Sequence, residues 1–274
     1  MLLLWSPKGG VGTTTVVAGL AAHCFGRIPV LIVDLGGDVA AMLGCEPPET
    51  GWGDWVTAQA APASGALIRS SSLVAPDVRL LAPGRVGQSQ LMGRFGGRVG
   101  RTNGWPSSDG LEGEPGHADA RTSSSAFVNG SVSRAFWQQL SGFDGMVIID
   151  AADGRHLLVD WFTVHGAQVW MTMRGCYLGM RRAAHARTAL GPPDGIVWVS
   201  EAGRAIRSAD AQKVLRAPVV ADVPWRPAIA RAVDAGLILR RPPEALSRAL
   251  APAWKAMLGQ SGLTVQSALT SDAA

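Results

Sequence analysis

The densest chemistry in the sequence lies near its start, in Ser6-Pro7-Lys8-Gly9-Gly10-Val11-Gly12-Thr13-Thr14-Thr15. An apolar run, Leu2–Trp5, precedes it, and small apolar residues follow at helical spacing. A glycine-rich turn leading from a strand into a helix N-terminus aims several backbone N–H groups at one point. The helix adds partial positive charge there, so the arrangement suits a phosphate. Glycines let the backbone approach closely and adopt dihedrals closed to other residues. A standard phosphate loop reads Gly-x-x-x-x-Gly-Lys-Ser/Thr. Here Pro7 occupies the first glycine position, Thr13 stands where the lysine belongs, and the lysine comes early, as Lys8.

The other chemistry-bearing residues give weaker signals. Cys24, Cys45 and Cys176 form no Cys-x-x-Cys pair, which argues against a disulfide framework, a zinc site or an iron–sulfur electron carrier. The five histidines include no His-Glu-x-x-His and read as structural or surface groups. Lys+Arg 25 against Asp+Glu 21 gives +4, too mild to predict nucleic-acid binding by itself. That balance rests on arginine, because Lys8, Lys213 and Lys255 are the only lysines.

The elements that must position the loop are legible as short apolar runs separated by helix-length segments. Leu2–Trp5, Val30–Val33, Val78–Ala82, Met146–Ile149, Val169–Met173, Ile196–Val199 and Val219–Val223 read as strands. Most lack polar alternation, as expected where both faces of a sheet are covered. Thr13–His23, Val132–Leu140, Met180–Leu190, Ala205–Leu215 and Ala228–Ala235 read as helices, with Ser131 as an N-cap for the second. Strands alternating with helices predict an α/β fold with a mostly parallel sheet of about seven strands, helices on both faces and right-handed crossovers. Hydrophobic residues at 47% and charged residues at 17%, against a usual ~25% charged, exclude a chain disordered throughout.

We expect one domain over 1–260, interrupted at about 87–131 by a flexible Gly/Ser-rich insertion, and a disordered tail at 261–274. In the insertion, Leu91, Met92 and Phe95 interleave with Arg94, Arg98 and Arg101. A basic amphipathic helix and a solvated loop both fit that pattern. No 18-residue apolar run and no signal-peptide pattern occurs, so a cytoplasmic protein is expected. Trp52, Trp55 and Trp105 sit in loop-like sequence and are expected at the surface, where they would suit protein partners.

The pattern Lys-Gly-Gly-x-Gly-x-Thr-Thr resembles the deviant Walker A loop of the ParA/MinD family of dimerising ATPases. The resemblance covers nearly the whole chain outside the insertion. Pro29–Asp34 looks like the family's second strand, ending in the aspartate that opens switch I. Leu80–Gly84 resembles its third-strand ending, Phe143–Asp150 its Walker B strand, and Ala221–Trp225 the late strand and loop beside the base. ATP and Mg²⁺ are the implied cofactors. Lys8, Gly9, Gly10, Val11, Gly12, Thr13, Thr14 and Thr15 would cradle the phosphates and Pro224 would lie by the base. Thr14 would ligate Mg²⁺ and Asp150 would hold it through water. Lys8 would reach across a nucleotide-dependent homodimer to the partner's phosphates.

Thr13 narrows the resemblance to the CpaE/TadZ branch, which often carries a small residue there and marks the cell pole for pilus assembly. A septum-site-determining group is a neighbour. This implies protein partners from a pilus or division machinery and a polar or membrane-peripheral position. Other departures argue against fast turnover. Asp34-Leu35-Gly36-Gly37-Asp38 lacks the family's Asp-x-Asp, leaving Asp38 as the catalytic candidate beside Lys8 with its role open. Ser200-Glu201 replaces the family's base-binding asparagine, and Arg226 stands where an acidic residue is common. The expected protein binds nucleotide weakly, hydrolyses slowly or not at all, and acts by dimerising and localising. Three readings compete with it. One is a scaffold without nucleotide; another is a DNA-partition ATPase using Arg181, Arg182, Arg187, Arg240 and Arg241. The third is membrane contact through the apolar side of Ala245–Leu258, against which stands core packing, since family relatives close the domain with a packed helix here.

Overall fold

The computed structural model describes residues 1–57, 65–84, 131–153 and 162–261. Apart from Ser131 and Ser261, the expected insertion at 87–131 and tail at 261–274 lie outside the described residues, as does Trp105.

Eight strands form one sheet: β1 (Leu2–Ser6), β2 (Val30–Asp34), β3 (Ser72–Ala75), β4 (Val78–Leu81), β5 (Met146–Asp153), β6 (Gln168–Arg174), β7 (Gly195–Ser200) and β8 (Val219–Pro224). Their order is β3-β4-β2-β5-β1-β6-β7-β8, and every pairing is parallel except β3 with β4. All seven expected strands are present. The eighth, β3, corrects the expected count. It is a short edge strand with little burial, joined to β4 by Pro76-Asp77, with Asp77 at φ 61.

The central strands are apolar without alternation because both faces are covered. Leu2 and Leu4 of β1 enter one core and Leu3 and Trp5 the other, and all four are at most 1% exposed. On the first face lie α1 (Thr13–Cys24), α2 (Val39–Met42), α8 (Pro227–Asp234) and α9 (Glu244–Ser261). On the second lie α3 (Trp52–Thr57), α4 (Ala66–Arg69), α5 (Ser131–Ser141), α6 (Tyr177–Leu190) and α7 (Ser208–Leu215). In α5, Phe136 and Leu140 are buried as the spacing predicts. Ser131 is the first residue of that helix rather than the residue before it.

Helix α9 carries Leu246, Leu250, Ala253, Trp254 and Met257 into the core, against α1 and β8. Full burial of one leucine is worth roughly 1.5–3 kcal/mol. Presenting this face to lipid would forfeit that packing several times over, so of the two readings of Ala245–Leu258 the core one holds and the lipid one does not. Its stripe is core.

Two left-handed glycines brace the site end of this face. Gly44, after α2, and Gly236, after α8, have φ 66 and φ 64, and their backbones touch. A Cβ on Gly236 would lie 2.5 Å from Gly44 Cα and 2.8 Å from Gly44 N. Gly236→Ala therefore combines a disfavoured dihedral with a backbone collision. We expect a loss of ~1–3 kcal/mol in urea unfolding, with Gly259→Ala, where a Cβ meets nothing, close to wild type.

Candidate functional site

The loop after β1 starts from Ser6, whose hydroxyl donates to the Lys8 carbonyl at 2.9 Å and ties the strand end to the turn. Gly10 and Gly12 follow at φ 75 and φ 96. Gly12 is the N-cap of α1 with no side-chain cap, and its carbonyl takes the first helical bond, from Val16 N. The first N–H groups of α1 thus have no acceptor within the helix. A Cβ at Gly10 or Gly12 would meet nothing within 4 Å. These glycines therefore serve the dihedrals and an open space above the loop, not crowding from the protein. That open cradle of N–H groups fits a phosphate.

Around the cradle, Lys8, Thr14 and Thr15 are half-buried, Gly9 and Gly10 exposed, and Val11 and Thr13 buried, Thr13 at 6% exposure. Thr13 puts a small neutral side chain at the first position of α1, at the edge of the cradle. At the neighbouring strand ends sit two buried carboxylates. Asp34 and Asp150 face one another in the β2–β5 register and are 0% and 1% exposed. Asp150 Oδ1 accepts from Ala152 N at 2.9 Å, and Ala152 takes φ 52, an uncommon conformation for a non-glycine residue. Among the described residues no three His, Cys, Asp or Glu side chains converge as a metal cage. Mg²⁺ does not need one, since it takes one or two carboxylates with substrate phosphates and water. Thr14 and Asp150 fit that role.

Sequence reasoning quoted Asp34 only as the start of a switch, yet it organises the segment that follows. Oδ1 accepts from Gly36 N at 3.0 Å and Gly37 N at 2.6 Å, and Oδ2 accepts from Val39 N at 2.9 Å. The Trp52 indole N–H donates to the Asp34 carbonyl at 2.8 Å. Trp52 is 4% exposed and Trp55 half-buried, with its ring tilted against Phe136, so the expectation that both lie at the surface is corrected. Asp38, by contrast, is exposed at the start of α2 and makes no side-chain cap.

Beside the loop opens a cleft of about 230 Å³, lined by Gly10, Gly12, Thr15, Arg174, Pro224 and Trp225 among others. The structure thus brings Pro224, expected beside a base, together with the phosphate loop. Trp225 falls in the Ala221–Trp225 segment expected beside the base, whereas Arg174 was not anticipated. Arg174 ends β6, and its Nε and Nη2 donate to Glu201 Oε2 at 2.8 and 2.5 Å, while Arg204 Nε reaches the same oxygen at 2.5 Å. Hydrogen bonds from Arg204 and Arg174 hold the Glu201 carboxyl below its ordinary range.

No protein-family model and no curated protein matches the sequence. Solved structures do match the fold. A ParA family ATPase from Chlorobium tepidum TLS aligns at TM-score 0.65 and 17% identity, over 92% of this chain and 96% of that one. The septum site-determining protein MinD of Pyrococcus horikoshii OT3, complexed with Mg-ADP, gives 0.64 and 17%, over 93% and 94%. The Cyanothece McdA(D38A)–ATP complex gives 0.64 and 17%, over 96% and 98%. The chain has the ParA/MinD fold. At such identities the likeness establishes architecture, and function must be argued from the residues.

On this ParA/MinD-like frame, the arginines weighed for DNA are dispersed in burial. Arg181, Arg240 and Arg241 are exposed, whereas Arg182 and Arg187 are half-buried. No helix among the described residues is long and apolar enough to cross a membrane. Cys24 is buried, with its thiol pushed up by burial to about 12, and all three cysteines are free.

Burial, then the facing Asp150 charge, raises the Asp34 carboxyl to about 6, against the pull of its three N–H donors. The folded state therefore binds this proton more tightly than the unfolded chain, whose value is 3.8. The resulting stabilisation is fully present below pH 3.8 and is lost as pH rises through about 6. In ligand-free protein, Asp34→Asn removes that dependence. The melting temperature of the variant minus that of wild type should climb between pH 4 and pH 7, whatever offset the altered hydrogen bonds impose. A flat difference would show that Asp34 does not titrate there.

Proposed function

We propose that the protein binds a purine nucleoside triphosphate with Mg²⁺ at the loop of Lys8–Thr15, and that it turns over slowly or not at all. On this reading its output is a nucleotide-dependent homodimer that positions partners of a pilus or division machinery, as a CpaE/TadZ-like or septum-site-determining protein would. The observation that carries the proposal is the open N–H cradle of Gly10 and Gly12 next to a cleft that reaches Pro224. MinD with Mg-ADP and McdA with ATP, both similar in fold, support it.

Phosphoryl transfer asks a protein mainly to position groups and neutralise charge. Here the backbone N–H groups orient the anion, Thr14 and Asp150 would hold Mg²⁺, and the cation supplies charge neutralisation. Lys8 is the one lysine of the loop, half-buried at its turn. With Thr13 neutral, the loop lacks a charge-assisted contact, worth roughly 1.5–3 kcal/mol, or about one to two decades of affinity. Asp38, exposed on α2, is our candidate for approach to the reacting phosphate in the dimer. A nucleotide-free scaffold is the alternative, but such a scaffold has no physical need of the open glycine dihedrals.

Two variants test the proposal. Thr13→Lys should tighten triphosphate binding about tenfold or more, read by calorimetry. Lys8→Ala should abolish nucleotide-dependent dimerisation in light scattering while leaving the unliganded melting temperature near that of wild type. Absence of any nucleotide-dependent melting shift in the wild-type chain would refute the binding reading. Turnover matching ordinary phosphate-loop ATPases, lost in Lys8→Ala, would refute slow hydrolysis.

A further inference from the structure

The cleft beside the phosphate loop has a polar end whose hydrogen-bonding character differs from that of its apolar walls. Val16, Val199, Val223 and Ile229 line its apolar side. Trp225, 53% exposed, stands at its mouth, with its backbone fixed by an N–H bond to the Ser200 carbonyl at 2.7 Å. An indole offers a stacking face to any base, so Trp225 favours a heterocycle without choosing among them. Arg226 and Asp234 also line the cleft, but both are exposed to solvent. Arg174 is the charged lining residue held in place, its side chain 25% exposed and clamped on Glu201.

That clamp fixes which groups remain. A guanidinium has five N–H donors and no acceptor. Nε and one N–H of Nη2 are engaged by Glu201 Oε2, and Arg204 Nε donates to the same oxygen. Among the described residues no bond engages the second N–H of Nη2 or the N–H groups of Nη1, so the parallel Nη1–Nη2 pair is left as a rigid donor edge. A 6-oxopurine presents two acceptors along one edge, O6 and N7, which an arginine matches in bidentate fashion. Adenine presents N7 beside the N6 amine, setting donor against donor.

We propose that this site selects a 6-oxopurine nucleotide, guanine or hypoxanthine, over adenine, and that Arg174 is the residue that reads the base. The inference rests on the nucleotide-binding reading above and deepens it, since it names the base that the cleft accepts.

Displacement of a ribose-labelled fluorescent GTP from the full chain, with Mg²⁺, tests both levels. The competitors are GTP, ITP, ATP and inorganic tripolyphosphate. GTP and ITP should bind comparably, because both carry O6 and N7, and about tenfold or more tighter than ATP. Arg174→Gln, whose amide can serve either purine, should bring GTP and ATP to within about threefold while leaving tripolyphosphate unchanged. Arg174→Lys should weaken GTP too, since a point charge cannot reproduce the bidentate edge. ATP binding as tightly as GTP in the wild type overturns the base assignment alone, provided tripolyphosphate competes. Selectivity that survives Arg174→Gln overturns the role of Arg174. If neither the labelled nucleotide nor tripolyphosphate binds, the phosphate-loop reading falls, and this proposal falls with it.

Discussion

A parallel sheet covered on both faces leaves chemistry one location, the carboxyl ends of its strands. The α/β architecture of this chain follows that constraint closely. Alternate residues of β1 feed two separate cores, so neither face of the strand can present a functional group. Ser6, Asp34, Asp150, Arg174 and Pro224 are instead found at or near the strand ends, with the glycine loop among them. Ligands of open α/β sheets bind in the crevice outside those ends, where strand order changes direction. Here β1 leads across β5 to β2 on one side, while β6, β7 and β8 extend the sheet on the other. The cleft opens on that second side.

The edge divides into an acidic half and a basic half. Toward β2 and β5, Asp34 and Asp150 are buried face to face, and the backbone must supply three N–H groups to keep Asp34 in place. Toward β6 and β7, Arg174 and Arg204 converge on Glu201. The loop between the halves carries a single lysine. On the proposed reading the acidic half serves the cation and the basic half the base. The phosphates then depend on backbone dipoles and whatever positive charge a partner brings. On that reading such a site would bind a highly charged anion weakly as a monomer and would reward assembly, as the proposed localising role requires.

Much of this was readable before the structure, and the reasons differ by residue. Seven strands were legible because double burial writes an unbroken apolar run. The loop was legible because glycines at Gly10 and Gly12 have a backbone purpose that few other residues can serve. Strand β3 escaped because an edge strand needs no such run, although Pro76-Asp77 carried its turn signal. Trp52 was misread for a different reason. Its neighbours Gly51 and Gly53 look like loop, and its burial depends on a carbonyl 18 residues earlier, that of Asp34. The Arg174–Glu201 contact spans 27 residues and exists only because β6 and β7 are sheet neighbours. Local pattern records what an element needs from its own residues; it is silent on what one element lends another.

The Gly44–Gly236 contact shows the same dependence at the level of backbone. Gly44 closes the helix that Asp34 anchors, and Gly236 closes the helix whose residues wall the cleft. A Cβ on Gly236 would collide with the Gly44 backbone, and one on Gly44 would press on Gly236 at 3.1 Å, so glycine at both positions lets the two helix ends approach closely. On the proposed reading, this contact joins the helix beside the cation half to the helix beside the base half.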